Sequence, residues 1–529
     1  MTFGQPGPWT ADLGDGTYRN PVLFADWSDP DVIRAGGDYY LVASSFNRVP
    51  GLPVLHSTDL VNWRLLGHAL DRLTPESFFA TPRHGCGVWA PAIRHHAGRF
   101  WICYPDPDHG IYLTTAPDPA GPWTTPRLVL AGRGLIDPCP LWDDDGNTYL
   151  IHAWARSRSG INNRLTAYRM TADLGRPLGD GVLVVDGDAI DGCRTLEGPK
   201  WYRRDGWYWI FAPGGGVANG WQYALRSRSV LGPYEPRVVL ARGGTDVNGP
   251  HQGAWVDTPG GEDWFLHFQD LGPYGRVVHL QPMRWRPDGW PDIGNAGTPV
   301  ARHRKPAAGD AGAPACSPPA GDGFPGGRPG PQWTWPANPR PGWVLERPGA
   351  NGLRLACVPS PGSDLRALPN TLGQRLAAPR LRAETGVRLT APAGTRAGLL
   401  VLGNVYAWAG LERRPGGTFL VCRFAEPELI PPNPSTPVSE RDMIEPVPVE
   451  GHVRLAVTVG DSAVVQFAAA VAGGGWTDVG PPFRATPGGW IGATLALFAT
   501  SAPRPAATDG FADFDPLLVT GPADRPLSC

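Results

Sequence analysis

Hydrophobic and polar positions follow the same order five times between residues 29 and 268. Each copy begins with a polar or aromatic residue, continues through a short apolar run and a tight turn, and ends in an aromatic-rich stretch. Short alternating runs bounded by Gly and Asp turn residues predict pairs of β-strands joined by hairpins. The first residues of the five copies, called the axial residues below, are Asp29, Trp89, Asp137, Glu197 and His251.

The second strand of each copy carries an aromatic anchor at a regular distance from the next anchor. The anchors are 49 to 61 residues apart, which suits a four-stranded sheet with its loops. Five such sheets predict an all-β, five-bladed β-propeller in which the first strand of each blade lies innermost. The axial residues would then ring the central axis. The anchors are Tyr39, Phe100, Tyr149, Trp207 and Trp264.

The pattern changes after Trp285, where the fifth copy ends. Residues 305–331 are dominated by Pro, Gly and Ala, a composition that does not bury a core and indicates a linker between domains. From Trp333 onward, short apolar segments separated by turn signals predict a β-sandwich of the jelly-roll type. The sequence therefore predicts a propeller over residues 1–304, a linker over 305–331 and a sandwich over 332–529.

Composition supports the all-β interpretation and narrows the partners. The 529 residues include 70 Gly, 61 Pro and 22 Trp, as expected for many short strands and turns. A net charge of −2 without basic runs argues against nucleic acid and anionic membranes as partners. The first residues lack the basic and apolar segments of a signal peptide, and the eight cysteines are scattered. We therefore expect free thiols and a cytoplasmic location.

Three of the axial residues are acids, and their shared position in the repeat carries the functional hypothesis. Cleavage of a glycosidic bond needs a carboxylic acid that protonates the leaving oxygen and a carboxylate that acts from the opposite face. Burial beside other acids raises the pKa of a glutamate, so we expect Glu197 to be the general acid. Asp29 would be the general base that activates water, and Asp137 would orient Glu197 and adjust its pKa. Taken singly, the Asp-Pro pairs at Asp29 and Asp137 are also typical of turns.

Four further residues are candidates for holding a sugar. Trp89 and Phe46 present rings that stack on a sugar face, although isolated aromatic residues more often pack in a core. His251 is a candidate ligand or substrate contact because it occupies the fifth axial position, and its alternative is a buried core histidine. Arg276 would donate paired hydrogen bonds to sugar hydroxyls, and its alternative is a surface ion pair.

The motifs of the first half resemble glycoside hydrolase family 43, the β-xylosidase and α-L-arabinofuranosidase group. The matching segments, between about Tyr18 and Pro291, are RNPVLFADWSDPDVIRAGGDYYLVAS, GVWAPAIRHHAGRFWICY, IDPCPLWDDDG, LEGPKWYRRDGWYWIFAPGGG and GRVVHLQPMRWRPDGWP. The second half, from PQWTWPANPRPGWVL through GGWIGATLALF to GFADFD, resembles the concanavalin-like sandwich that follows the propeller in the family's β-xylosidases.

The resemblance implies an inverting mechanism with the three acids in the roles given above. It also implies that Arg276 and His251 lie near the terminal-sugar subsite, with His251 tied in some relatives to a central calcium or water. In such enzymes a loop of the sandwich closes the pocket mouth, and Phe498 matches that position. These features imply an exo-acting enzyme that releases terminal xylose or arabinose from short xylo- or arabino-oligosaccharides and requires no cofactor.

Two alternatives stay open. One is a retaining hydrolase of the fructan and sucrose class, whose carboxyl groups lie roughly 5 Å apart instead of roughly 6.5 to 9.5 Å. The other is a sugar-binding propeller without catalysis, although binding alone does not need three grouped acids. The sequence specifies neither the preferred pentose, nor a structural calcium, nor a homo-oligomer. It places Arg48 near the rim and assigns no role to the loops at 47–50, 105–110 and 212–221.

Overall fold

The computed structural model describes residues 7–307, 315–347, 351–429, 431–471, 473–502 and 510–521, which fold almost entirely into β-sheets. One short α-helix, α1 (Arg156–Ser159), occurs among these residues. Single turns of 3-10 helix lie at Phe78–Ala80, Gly187–Ala189, Gly272–Tyr274, Pro325–Gly327, Leu365–Ala367 and Asp461–Ala463. None of the helices in the described part of the chain is long and apolar enough to cross a membrane.

The first part of the chain forms five antiparallel sheets of four strands, each in sequential order. A two-stranded sheet, β1 (Thr17–Arg19) with β22 (Arg302–Arg304), joins its two ends. Blade 1 contains β2 (Asp31–Ala35), β3 (Asp38–Val42), β4 (Gly51–Ser57) and β5 (Arg64–Leu70). Blade 2 contains β6 (Ala92–His96), β7 (Arg99–Asp106), β8 (Gly110–Ala116) and β9 (Arg127–Ala131). Blade 3 contains β10 (Leu135–Trp142), β11 (Thr148–Trp154), β12 (Arg164–Met170) and β13 (Val182–Asp186). Blade 4 contains β14 (Lys200–Arg204), β15 (Trp207–Gly214), β16 (Trp221–Ser227) and β17 (Glu235–Leu240). Blade 5 contains β18 (His251–Asp257), β19 (Asp263–Asp270), β20 (Arg276–Trp285) and β21 (Pro291–Ile293).

The predicted five-bladed propeller is confirmed. First strands of neighbouring blades contact one another around the axis, except that blade 4 meets β18 through its second strand, β15. Each aromatic anchor lies on the second strand of its blade, as the spacing predicted. The hairpins between first and second strands use left-handed residues, for example Asp205 and Gly206 at φ values of 52° and 71°. Two such residues in succession match the twist of antiparallel strands.

Antiparallel order determines which loops lie at which end of the propeller. The hairpins between first and second strands lie at the lower end, so the loops between second and third strands lie at the upper end, where the first strands begin. The loops at 47–50, 105–110 and 212–221 all connect second to third strands. The three loops without an assigned role therefore lie at the same end as the axial residues.

The second part of the chain forms two large sheets that pack face to face, which confirms the predicted β-sandwich. The nine-stranded sheet contains β23 (Val344–Leu345), β24 (Leu353–Ala356), β38 (Phe511–Phe514), β27 (Leu381–Thr390), β33 (His452–Val459), β34 (Val464–Val471), β35 (Thr477–Asp478), β36 (Phe483–Arg484) and β39 (Leu518–Thr520). The eight-stranded sheet contains β25 (Val358–Pro359), β37 (Thr494–Ser501), β28 (Thr395–Leu402), β29 (Tyr406–Arg414), β30 (Gly417–Pro427), β31 (Val438–Asp442), β26 (Leu372–Arg375) and β32 (Val447–Val449).

Part of the segment interpreted as a linker belongs to the sandwich. Phe324 is fully buried in the sandwich core and packs against Trp333 at a ring distance of 5.6 Å. Asp322 accepts a hydrogen bond from Trp333 Nε1 at 2.8 Å and pairs with Leu517 through the backbone. Because Pro, Gly and Ala surround Asp322 and Phe324, the composition of the segment did not predict that these two residues belong to a folded domain. Residues 308–314 of the same segment lie outside the described residues.

The two domains are joined by a buried polar contact at Tyr274, in the loop before β20. Its hydroxyl lies 2.8 Å from the carbonyl oxygen of Pro379 and accepts a hydrogen bond from the Ala463 N–H at 2.9 Å. The Tyr274 ring, with Phe24 and Val277, packs within the sandwich core. The sandwich therefore sits against the upper end of the propeller.

The expectation of free thiols agrees with the seven cysteines that the structure describes, all of which are unpaired. Four of these thiols are buried, at Cys103, Cys139, Cys357 and Cys422. Cys529 lies outside the described residues. The cytoplasmic location stays a prediction.

Candidate active site

The backbone is distorted at the two axial aspartates. Asp29 and Asp137 both adopt left-handed conformations, with φ values of 54° and 57°. Asp137 lies at a shift in register of the β10–β11 pairing, between Ile136 and Cys139. A bulge of this kind redirects a side chain out of the normal alternation of a strand. Positive φ is uncommon outside glycine and clusters at functional sites, so the two aspartates are marked by conformation as well as by position.

Asp29 is a buried carboxylate with a hydrogen bond to each oxygen. The Ser44 hydroxyl donates to Oδ2 at 2.6 Å, and Nη1 of Arg276 donates to Oδ1 at 2.8 Å. Both members of the ion pair are less than a tenth exposed. Asp29 and Arg276 therefore form a buried, hydrogen-bonded ion pair.

Glu197 and Asp137 are the acids that the site keeps protonated most readily. Burial, with the nearby charges of Asp137 and Asp29, raises the pKa of Glu197 to about 8. Burial and Asp29 raise the pKa of Asp137 to about 7, although the Gly198 N–H donates to its Oδ2 at 2.7 Å. Glu197 keeps 22 % of its side chain exposed, more than either aspartate. Glu197 can therefore hold a proton and also contact a ligand.

His251 is fully buried beside Glu197, with its Nε2 3.4 Å from the glutamate Oε1. Burial and the charge of Arg276 lower the pKa of His251 to about 3, so the imidazole is neutral. A neutral ring offers no positive charge that would favour ionisation of Glu197. The structure thus brings His251 to Glu197 and Arg276 to Asp29, and the contact of either residue with a sugar stays a prediction.

A calcium bound directly by protein side chains does not fit this site. Among the described residues, no group of three or more His, Cys, Asp or Glu side chains is arranged to hold a metal ion. Calcium prefers several oxygen ligands, whereas His251 contributes ring nitrogens. A contact of His251 with calcium through water and the lack of a required cofactor both stay predictions.

Three aromatic side chains contact one another beside Arg276, the partner of Asp29. Trp89 is half-buried, and Phe46, only 2 % exposed, meets its ring edge-on at 6.1 Å. Trp89 also meets the ring of Trp490 at 5.7 Å. Trp89 is therefore more accessible to a ligand than Phe46, which is buried against it.

The prediction that Phe498 closes the pocket mouth is wrong. Phe498 is fully buried inside β37 and packs edge-on against Trp408 at 5.1 Å in the core of the sandwich. The sandwich residue that reaches the site is Trp490, in the loop before β37. It is 49 % exposed, and the Arg276 guanidinium lies 5.7 Å from its ring centre. The motif GGWIGATLALF contains both Trp490 and Phe498. The alternation of apolar and polar residues in this motif does not show which of the two side chains lies in the strand core and which lies in the loop.

Replacing Trp490 by Ala is expected to lower kcat/KM for a disaccharide substrate about two- to tenfold, because one aromatic contact is worth about 0.5–1.5 kcal/mol. Since Trp490 is half exposed, little change in Tm is expected. Phe498→Ala is the matched control and should lower the free energy of unfolding by about 3–5 kcal/mol. Steady-state kinetics and thermal unfolding measure both effects. An unchanged kcat/KM for Trp490→Ala would remove Trp490 from the site.

Asp26 connects the sandwich to the acids, and the sequence argument missed it. Its Oδ2 accepts hydrogen bonds from Arg48 Nη1 and the Gly492 N–H, each at 3.0 Å. Its Oδ1 accepts a bond from the Arg276 N–H at 3.1 Å. A side chain on Gly275 would collide with Asp26, so this approach requires glycine. Asp26 thereby links the loop that carries Trp490 to the arginine that pairs with Asp29.

Arg48 is not a rim residue. It is 6 % exposed and lies between the domains, where it contacts Asp26 and the sandwich residue Thr494. A second buried arginine, Arg375, donates to the Asp26 carbonyl at 2.7 Å. The loop at 47–50 therefore serves the junction between domains, where Val49 also pairs with Trp335.

Comparisons with known proteins agree with this geometry. The family model Glycosyl hydrolases family 43 matches residues 18–291, more than half of the chain. The chain belongs to this family. The model Beta xylosidase C-terminal Concanavalin A-like domain matches residues 321–519, so the family 43 propeller is followed by a concanavalin-like sandwich. As a family 43 protein with glycosidases among its relatives, the chain is a glycosidase.

Two curated relatives and one solved structure illustrate the similarity. A protein of Xylanibacter ruminicola, provisionally named a beta-xylosidase, is 40% identical over 417 residues, 76% of this chain and 73% of that protein. A non-reducing end alpha-L-arabinofuranosidase of Bacteroides ovatus is 31% identical over 420 residues, 72% of this chain and 73% of that protein. A solved structure of the Bacteroides ovatus xyloglucan PUL protein GH43B shares 26% identity, with a TM-score of 0.81 over 96% of this chain and 100% of that chain.

Proposed function

We propose that this family 43 glycosidase releases terminal xylose or arabinose from the ends of short oligosaccharides, with inversion at the anomeric carbon. The observation that carries the proposal is the grouping of three carboxyl groups with different environments. Glu197 and Asp137 have raised pKa values, whereas Asp29 is paired with the guanidinium of Arg276. An acid and a base held side by side at one pH are what an inverting hydrolysis requires.

In the proposed reaction, protonated Glu197 gives its proton to the oxygen of the leaving group as the glycosidic bond breaks. Asp29 takes a proton from a water molecule, whose oxygen attacks the anomeric carbon from the opposite face. The product sugar carries the water oxygen, Glu197 is left ionised and Asp29 protonated, and exchange with solvent restores both. Asp137 accepts a hydrogen bond from the Gly198 N–H next to Glu197, and the nearby carboxyl group of Asp137 contributes to the raised pKa of Glu197.

Arg276 and the aromatic residues would position the terminal sugar. Arg276 is held by Asp29 through its side chain and by Asp26 through its backbone N–H, which leaves it little freedom to move. Trp89 and Trp490 lie edge to face at 5.7 Å, and Trp490 also lies beside the Arg276 guanidinium. A pair of aromatic side chains contributed by both domains would restrict access to the acids to chain ends, which supports an exo mode of action.

The pentose is proposed from the names of the relatives, one a beta-xylosidase and one an alpha-L-arabinofuranosidase. Initial rates on aryl β-xyloside and aryl α-L-arabinofuranoside, side by side, test this proposal, with xylobiose and arabinobiose as natural substrates. Turnover of at least one pentoside is expected, with release of single sugars. The proposal fails if neither pentoside is cleaved while an aryl hexoside is.

A further inference from the structure

A cavity opens at the upper end of the propeller, and none of the three acids of the site lines it. It has a volume of about 550 Å³ and is lined mainly by Phe78, Asp108, His109, Arg133 and Arg158. Asp108 and His109 belong to the loop at 105–110, and Arg158 belongs to α1. Both elements lie between second and third strands, so they face the same end of the propeller as Glu197.

The cavity adjoins the proposed sugar site through Trp89. The guanidinium of Arg158 lies 5.5 Å from the centre of the Trp89 ring. The N–H of Trp89 donates to the carbonyl of Pro105, which begins the loop that forms the cavity wall. Trp89 is therefore shared between the proposed sugar site and the wall of this cavity.

Positive charge exceeds negative charge on the cavity wall. Asp108 Oδ1 accepts from Arg158 Nε at 3.2 Å, and the same oxygen lies 3.6 Å from Arg133 Nη2. One carboxylate therefore faces two guanidinium groups. The other acid nearby, Asp106, is buried with its Oδ1 3.2 Å from His109 Nδ1, and it forms no ion pair with either arginine among the described residues.

The arginine donors are only partly used. Arg133 has 69 % of its side chain exposed and makes no hydrogen bond to the described residues. Arg158 uses Nε for Asp108 and Nη1 for Ser157, whereas its Nη2 makes no hydrogen bond within the described part of the chain. Guanidinium groups bind carboxylates through two parallel hydrogen bonds, which these free donors can supply.

An aromatic ring completes the wall. Phe78 is half-buried, with His109 edge-on at 5.4 Å and the Arg83 guanidinium 4.6 Å from its ring centre. A flat apolar surface beside charged donors suits a sugar ring that carries an acidic group, because such a ring has an apolar face and a polar edge.

We propose that this cavity binds the part of the substrate beyond the cleaved bond, and that Arg133 and Arg158 recognise a carboxylate on that part, as in a uronic acid unit. The inference rests on the proposed exo-pentosidase function and specifies its substrate class. The enzyme then prefers oligosaccharides with an acidic substituent next to the terminal pentose over neutral ones of the same length.

The test compares matched acidic and neutral substrates on the full-length enzyme. One pair is the 4-carboxyphenyl and 4-carbamoylphenyl pentosides, and the other is a pentose trisaccharide with and without a glucuronic acid branch. The measured quantity is the ratio of kcat/KM for the acidic member to kcat/KM for the neutral member. Using the ratio cancels any effect of a variant on folding or on the chemical step.

Arg133→Ala is expected to lower this ratio about three- to tenfold for at least one pair, and Arg133→Glu to lower it further. Arg133 is chosen because Arg158 also contacts Trp89, so its removal would disturb the sugar site. Arg286→Ala, at the lower end of blade 5 and 54 % exposed, is the charge control and should leave the ratio unchanged. Added salt should reduce the ratio of the parent enzyme, since exposed charges are screened.

A ratio that does not differ between Arg133→Ala, Arg133→Glu and Arg286→Ala for both pairs would overturn the proposed carboxylate subsite. That result leaves the proposed function in place, because both members of each pair are still cleaved. Failure of the parent enzyme to cleave any of the four pentosides would instead contradict the proposed function itself.

Discussion

Glu197→Gln is expected to lower kcat for xylobiose by about 10²- to 10⁴-fold, the usual contribution of a general acid. The amide keeps the size of the side chain but cannot give a proton to the leaving oxygen. A pentoside with a leaving group that needs no protonation, such as a dinitrophenolate, should be cleaved at a rate much closer to that of the parent. Steady-state kinetics on the two substrates measure this difference.

Folding of the variant should be preserved, because the Glu197 side chain makes no hydrogen bond to the described residues and lies 3.4 Å from a neutral His251. Glu235→Gln is the matched control, since Glu235 is an exposed residue of β17 that pairs with Arg226 on the outer surface. If Glu197→Gln hydrolyses xylobiose at the parental rate, the assignment of the general acid is wrong.

Asp29→Asn is expected to lower kcat about 10²- to 10⁴-fold on both kinds of substrate, because activation of water is needed whatever the leaving group. This pattern differs from the one expected for Glu197→Gln. The change also leaves the buried Arg276 guanidinium without its carboxylate, so a lower Tm is expected. Kinetics and thermal unfolding on the same preparation separate the two effects.

Ser44→Ala is the control for Asp29, because it removes one hydrogen bond to the carboxylate and keeps the carboxylate itself. A loss of about tenfold or less is expected for this variant. An Asp29→Asn enzyme that retains the parental rate on activated substrates would show that Asp29 is not the base.

The arrangement of the acids could be predicted because it follows from a repeat. Residues at matching positions of the blades lie near the axis at the same end of the propeller, so the repeat predicts that Asp29, Asp137 and Glu197 lie close together. Their surroundings could not be predicted in the same way. The contact of Arg276 with Asp29 joins the last blade to the first, across 247 residues.

The contribution of the sandwich was the part that sequence reasoning placed incorrectly. Both faces of β37 are buried, with Leu497 in the core between the sheets and Phe498 in a second apolar cluster. A strand buried on both sides shows no alternation that separates a core residue from a protruding one. Trp490 was recognisable only from its place in a glycine-rich loop, and Asp26 only as an acid three residues before Asp29.

The loop at 105–110 shows a different limit. Its sequence, PDPDHG, contains two acids and a histidine, which suggests chemistry without indicating its kind. In the structure, Asp106 is buried against His109. Asp108 forms ion pairs with Arg133 and Arg158, which come from two other segments of the chain. The excess of positive charge exists only after folding brings these segments together.

The anomeric configuration of the first product tests most directly whether the enzyme inverts the anomeric carbon with Asp29 as the general base. A proton NMR time course on an aryl β-xyloside, recorded before the released sugar equilibrates between its anomers, reports the configuration that the enzyme produces. We expect α-xylose as the first product, because water activated by Asp29 attacks opposite the departing group. β-Xylose as the first product would contradict it, since retention requires Asp29 or another carboxylate to act as a nucleophile.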